Sequence, residues 1–160
     1  MQEELRSFVE NYSKEDFDRI KFDWNGKHGD EFEDKNLVFR TMLAEFMKED
    51  FSFSPDQLII DMYLALAECG EQSFGIYLNF HLFANELLNR GGAKYFTHYM
   101  EGAKRSMDTY ISSGRDLKIS KEILNEICDL IQDKIDTSDK DSKLYEGFQE
   151  RFDFLLKQYK

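Results

Sequence analysis

The stretch that most constrains the fold is residues 58–88, which read LIIDMYLALAECGEQSFGIYLNFHLFANELL. Its apolar side chains are too dense to form a single stripe and instead cover most of each helical face. Such coverage is typical of buried helix, whereas a surface helix has one apolar stripe. The sequence therefore predicts a buried central pair of helices, about 55–69 and 72–89, with the more polar segments packed around it.

Those segments show the apolar spacing of amphipathic helices. Helices are predicted over 2–22 (as one or two), 35–50, 93–100, 101–112, 120–135 and 144–159, with a polar linker at 136–143. Ser54 is expected to cap the first central helix, Gly70 to end it, and Ser120 to cap a later one. No stretch alternates with a period of two, so the predicted fold is all-α, an irregular bundle of about seven to nine helices that forms a single domain over 1–160.

The composition fits one aromatic core. Of 160 residues, 15 are Phe and 8 are Tyr, while a single Pro and 9 Gly leave little room for interdomain linkers. Cys69 and Cys128 lie in apolar helical stretches without metal or redox spacing, which favours inert thiols in a reducing compartment. The first 20 residues lack the apolar core of a signal peptide, and no apolar run reaches the roughly 18 residues of a membrane span. We expect a cytoplasmic protein.

The charge is strongly negative and uneven. The net charge is −11, and residues 1–56 hold 15 acidic and 8 basic side chains. A field of this sign repels phosphate backbones and anionic lipid. The expected partner is therefore a basic protein, with no direct contact to nucleic acid or membrane.

Motifs for catalysis or metal binding are weak. His28, His81 and His98 are scattered without a metal-ligand spacing. Ser73 does not fit a nucleophile elbow, and Gly91-Gly92 lacks the remainder of a phosphate-binding loop. We expect no metal, no cofactor and no enzymatic activity.

The segment DWNGKHGDEFED, residues 23–34, is the main candidate for a binding site. Asn-Gly and a second glycine predict a loop, and aromatic side chains lie among its carboxylates. Carboxylates accelerate encounter with a basic partner, and aromatic anchors supply much of the affinity. The predicted partner-binding residues are Asp23, Trp24, Asp30, Glu31, Phe32, Glu33 and Asp34. The alternative is a solvated surface that serves solubility alone.

The segment FANELLNRGGAKYFTHY, residues 83–99, resembles a family of small, acidic, all-helical bacterial proteins. In that family a helix enters an E-x-x-N-G-G turn followed by an aromatic segment, and at least one member is regarded as a DNA mimic. Matching residues are Glu86, Gly91, Gly92 and Phe96, whereas Arg90, Ala93 and Tyr95 depart from the pattern. The composition also resembles bacterial toxin-immunity proteins. Both resemblances imply an inhibitor that covers a basic surface, on a DNA-binding regulator or a nuclease toxin.

Two further hypotheses remain open. A helical enzyme or small-molecule binder would have its pocket between the central helices, among Tyr63, Glu68, Tyr77, His81 and Glu86. A structural or oligomerising module, for example a homodimer, would need an exposed apolar face. The last helix is the place to look for it, at Tyr145, Phe148, Phe152 and Phe154.

Overall fold

The fold is all-α, as predicted. The structure, a computed structural model, describes residues 1–138 and 140–159; Asp139, in the predicted linker, lies outside them. Within these ranges there are eight α-helices and no strand: α1 (Gln2–Glu10), α2 (Leu37–Met47), α3 (Asp56–Ser73), α4 (Phe80–Gly91), α5 (Phe96–Ala103), α6 (Met107–Ser113), α7 (Lys121–Asp136) and α8 (Ser142–Lys157). Short 3₁₀ helices cover Lys14–Arg19, Gly29–Glu31, Phe51–Phe53 and Gly92–Tyr95.

The predicted central pair is present as α3 and α4, with α5 and α6 packed against both. The predicted start of the second helix at residue 72 is wrong, because α3 continues to Ser73 and α4 begins only at Phe80. Tyr63 lies between two rings, with centroids 4.8 Å from Phe80 and 6.3 Å from Tyr99. Its hydroxyl donates a 2.8 Å hydrogen bond to the carbonyl of Tyr99. Gly102 makes room for this stack, since a Cβ there would lie 2.4 Å from Cε1 of Tyr63. The core is therefore organised around stacked rings.

The ends of α3 differ from the prediction. Pro55, not Ser54, is the N-cap, because its ψ of 150° is extended and places it outside the helix. The Ser54 hydroxyl is buried without a hydrogen-bond partner in the described ranges. The helix also continues through Gly70 to Ser73, so Gly70 does not end it. A Cβ at Gly70 would lie 3.3 Å from the Gly75 carbonyl, and Gly70 therefore allows the chain to turn back closely.

The predicted stop after α4 is confirmed and has a geometric cause. Gly92 has a positive φ of 51°, a conformation that L side chains rarely adopt. A Cβ at Gly91 would lie 1.9 Å from Cδ2 of Tyr95, so this position also requires glycine. The Ser120 cap is confirmed as well, because its hydroxyl accepts a 3.3 Å hydrogen bond from the amide of Ile123.

The last helix does not offer the apolar face that an oligomerising module needs. Tyr145, Phe148 and Phe152 are buried, and Phe154 alone of the four predicted residues is exposed. Phe152 meets Phe96 edge to face at 5.1 Å, so the stripe packs on the bundle itself. In the described part of the chain, no helix combines the length and apolarity needed to cross a membrane.

Candidate functional site

The loop at residues 23–34 is ordered by its own polar groups. The backbone amide of Asn25 donates to the backbone carbonyl of Glu33 at 2.9 Å. The backbone amide of Lys35 donates to the backbone carbonyl of Asp23 at 3.0 Å. The Asn25 carboxamide oxygen accepts from the amides of Lys27 and Glu33, and its NH₂ donates to the Glu31 carbonyl. The loop is therefore preorganised without a large apolar core.

Asp34 fastens this loop to α2. Its carboxylate is buried and forms an ion pair with the buried guanidinium of Arg40. It also accepts 3.1 Å hydrogen bonds from the amides of Asp23 and Asn36. Arg40 in turn donates to the carbonyls of Ile20 and Lys21. The prediction that Asp34 contacts a partner is wrong, because its charge is already neutralised inside the fold.

The other four carboxylates of the loop differ in their surroundings. Glu31 pairs with Lys27 at 2.7 Å on the surface, where such a pair contributes little. Asp23 is half-buried, whereas Asp30 and Glu33 are exposed and form no ion pair with any described residue. Asp30 and Glu33 are thus the carboxylates most available to a partner.

Five rings form a continuous row across this surface, here called the aromatic row. Phe22 stacks between Trp24, at a centroid distance of 6.1 Å, and Phe32, at 6.3 Å. Trp24 contacts His28 at 4.8 Å, and its indole N–H donates to the Lys27 carbonyl. His28 reaches Phe74, just beyond α3, at 5.9 Å. The predicted residues Trp24 and Phe32 are thus joined to a different part of the chain.

Phe74 is a strongly exposed member of the aromatic row. The residue is 83% exposed, and its backbone is left-handed, with φ 55° and ψ 30°. This conformation costs a non-glycine residue about 1–2 kcal/mol. A large apolar side chain is therefore presented to solvent from an unfavourable backbone geometry.

Sequence reasoning missed Phe22, His28 and Phe74. A signal existed for Phe22, because residues two apart in extended chain lie on the same side, and Phe22 is two residues from Trp24. Phe74 had none, since the predicted helix 72–89 placed it inside a helix. Its contact with the loop depends on where α3 ends.

The residues of the alternative pocket do not converge. Tyr63 is enclosed by rings, and burial raises its pKa well above the usual value. Tyr77 donates to Glu45, and Glu86 pairs with Arg90. His81 Nδ1 faces the guanidinium of Arg115. Burial lowers the pKa of His81, and the positive charge of Arg115 lowers it further. The neutral imidazole therefore accepts a hydrogen bond from Arg115. Glu68 is half-buried on α3.

No group of three or more His, Cys, Asp or Glu side chains within residues 1–138 and 140–159 is placed to hold a metal ion.

No known protein family matches the sequence, and comparisons with curated proteins and with solved structures find no similar protein. The resemblance of residues 83–99 to the DNA-mimic family therefore stays a prediction.

Proposed function

We propose that this protein is a non-enzymatic inhibitor that covers a basic surface of another protein with the loop at 23–34 and Phe74. One observation carries the proposal. The aromatic row ends in the exposed ring of Phe74, on the same surface as a loop whose carboxylates Asp30 and Glu33 lack ion pairs in the described chain. The loop is already ordered, so little conformational entropy is lost when a partner binds.

The two chemistries of this surface have separate roles. Carboxylates at the edge accelerate encounter with a basic partner and reject acidic ones. Exposed aromatic rings supply contact area at low entropic cost. A basic surface with apolar contacts beside it is typical of proteins that hold nucleic acid, so a nuclease toxin or a DNA-binding regulator is the proposed partner class.

The left-handed backbone of Phe74 supports a binding role. Glycine or asparagine would occupy this position with less strain. Backbone strain held in the folded state is often associated with a functional site. Here the strain accompanies an exposed ring that contributes little to the core.

The proposal is tested by affinity capture with matched variants. The immobilised chain is exposed to lysate of its source cells and eluted with a salt gradient. Asp30→Lys/Glu33→Lys is compared with Asp129→Lys/Asp133→Lys, which makes the same charge change at exposed positions of α7. We expect a basic protein that the wild type and the α7 variant retain and the loop variant releases at lower salt.

A second variant separates the ring from the charge. Phe74→Ala keeps the net charge and should weaken retention about 10-fold or more without changing its salt dependence. If the same protein is retained equally by the wild type, the loop variant and Phe74→Ala, this surface is only a solvated face and the proposal is wrong.

A further inference from the structure

A second feature of the N-terminal third is an apolar groove between α1 and α2, here called the α1–α2 groove. It has a volume of about 740 Å³, and Phe53 is among the residues that line it. Its apolar lining consists of Met1, Leu5, Leu37, Val38, Met42, Phe46 and Phe53. None of these residues belongs to the loop or to the aromatic row.

The groove leaves apolar side chains uncovered. Val38 is 71% exposed, Phe53 47% and Leu37 39%, whereas Leu5 below them is buried. Leu37 and Val38 begin α2, and two further apolar lining residues, Met42 and Phe46, follow Val38 at intervals of four on the same helix. Adjacent exposed apolar side chains of this kind mark interaction sites more often than isolated ones do.

The charges at the edge of the groove are mainly negative. Glu45 lies on α2, where it pairs with Lys48 at 2.6 Å, and Glu49 and Asp50 follow the end of the helix. Arg6 is the one basic side chain of the lining, and its guanidinium lies over the Phe53 ring, 4.9 Å from the centroid. Glu49 is exposed and forms no ion pair within the described residues. An occupant with an apolar face and basic edges would complement this arrangement.

We propose that the α1–α2 groove binds a basic amphipathic helix of another protein. Apolar side chains at i, i+3, i+4 and i+7 would lie on Val38, Met42 and Phe53, with Lys or Arg along the carboxylates. The 11 residues of α2 span about 16 Å, which matches roughly three turns of a bound helix.

Charge argues against the other occupants. Anionic lipid would be repelled by Glu49 and Asp50, and a second copy would bring the same negative edge and a net charge of −11. A small-molecule pocket needs polar groups that converge within it. Here the carboxylates lie at the edge, and the interior is apolar. The inference also does not depend on the loop at 23–34, so either site can fail without the other.

The test uses a synthetic probe and the full chain. The probe is a helical peptide of about 14 residues, with Leu at i, i+3, i+4 and i+7 and Lys elsewhere. Its control has the same composition in scrambled order, so that its charge is unchanged and its apolar face is lost. Binding is measured by calorimetry at low and at high salt. The amphipathic peptide should bind about 10-fold more tightly than the scrambled one.

Matched variants locate the binding. Val38→Ser should weaken binding of the amphipathic peptide about 5-fold, and Glu49→Lys about 3-fold at low salt with little effect at high salt. Ile111→Ser on α6 removes a similarly exposed apolar side chain outside the groove and should leave binding unchanged. Circular dichroism checks that each variant is folded.

Three results would overturn the proposal. Equal binding of the two peptides would show that charge alone attracts them. Equal losses in Val38→Ser and Ile111→Ser would place the peptide elsewhere. Wild-type dimerisation that Val38→Ser abolishes, measured by sedimentation, would identify a second copy as the occupant.

Discussion

In the central helices, Tyr63 is stacked between Phe80 and Tyr99 and has no access to solvent. At the surface, by contrast, Phe22 lies just before the loop at 23–34 and stacks between Trp24 and Phe32 of that loop. Both regions stack three aromatic rings. The difference lies in what surrounds them. The central stack is enclosed by other apolar side chains, and the loop stack rests on hydrogen bonds and one buried ion pair. Stability should therefore be limited by packing in the core and by polar contacts in the loop.

The largest loss in the free energy of unfolding is expected for a substitution at Asp34, which joins the loop to α2. Asp34→Ala leaves the buried Arg40 guanidinium without its counter-charge and removes the acceptor of two backbone amides. Breaking a buried ion pair by removing one partner costs about 3–5 kcal/mol. Urea denaturation should show this loss, and hydrogen exchange at Asn25 and Lys35 should accelerate.

Asp30→Ala is the matched control in the same loop. Its side chain is exposed, so the free energy of unfolding should change by no more than about 0.5 kcal/mol. Equal losses in the two variants would mean that the loop has no special anchor at Asp34.

The central stack should be destabilised by a larger side chain at Gly102. A methyl group at Gly102 would lie 2.4 Å from a ring that cannot move between Phe80 and Tyr99, so Gly102→Ala should cost about 2–3 kcal/mol. Gly147→Ala in α8 places its methyl group in open space and should instead stabilise by about 0.5–1 kcal/mol. Thermal and urea unfolding of both variants measure the contrast. A mild effect at Gly102 would show that the stack can shift.

The buried phenols make the core sensitive to high pH. Burial raises the pKa of both Tyr63 and Tyr99 above the usual value of 10, so the folded state keeps protons that the unfolded state releases. Their contribution to stability is complete well below pH 10 and is lost as the pH rises through and above 10. At pH 10.5 the two phenols together account for a loss of up to about 1.7 kcal/mol in the free energy of unfolding.

Urea denaturation of the wild type and Tyr99→Phe at pH 8.0 and 10.5 separates the Tyr99 contribution from that of Tyr12, Tyr77 and Tyr95, whose pKa values are also raised. Tyr99→Phe should be less stable at both values, because Arg151 loses its 2.7 Å hydrogen bond to the phenol oxygen. The difference between the two pH values, however, should become smaller than in the wild type. An unchanged difference would assign the alkaline sensitivity to other groups.

Helical periodicity was sufficient to predict the fold class and the central pair, because apolar density along 58–88 depends on local spacing alone. Helix ends were harder. Ser54-Pro55 matched a capping pattern, yet the extended backbone of Pro55 moved the cap by one residue. Gly70 was predicted to end α3, but the glycine is needed there because the backbone of Gly75 packs closely against it. These differences arise from packing that a sequence window does not contain.

The candidate site shows the same limit more strongly. The loop and most of its exposed carboxylates followed from composition and turn residues. That Asp34 is buried depends on Arg40, which reaches it from α2, and a run of acidic residues carries no sign of which one is paired. Phe74 contacts the loop only because α3 ends at Ser73, and the sequence did not indicate that end.

Phe74 also provides the smallest and most discriminating prediction. Phe74→Gly relieves the left-handed strain and should raise the free energy of unfolding by about 0.5–1 kcal/mol, although the contact with His28 is lost. Phe74→Ala keeps the strain and should not stabilise. Both variants remove the exposed ring, so both should weaken partner retention in the capture experiment. If Phe74→Gly is more stable but no longer retains the partner, binding explains why a strained phenylalanine occupies this position. If it is more stable and still retains the partner, the Phe74 ring has no role in binding and does not belong to the same site as the loop.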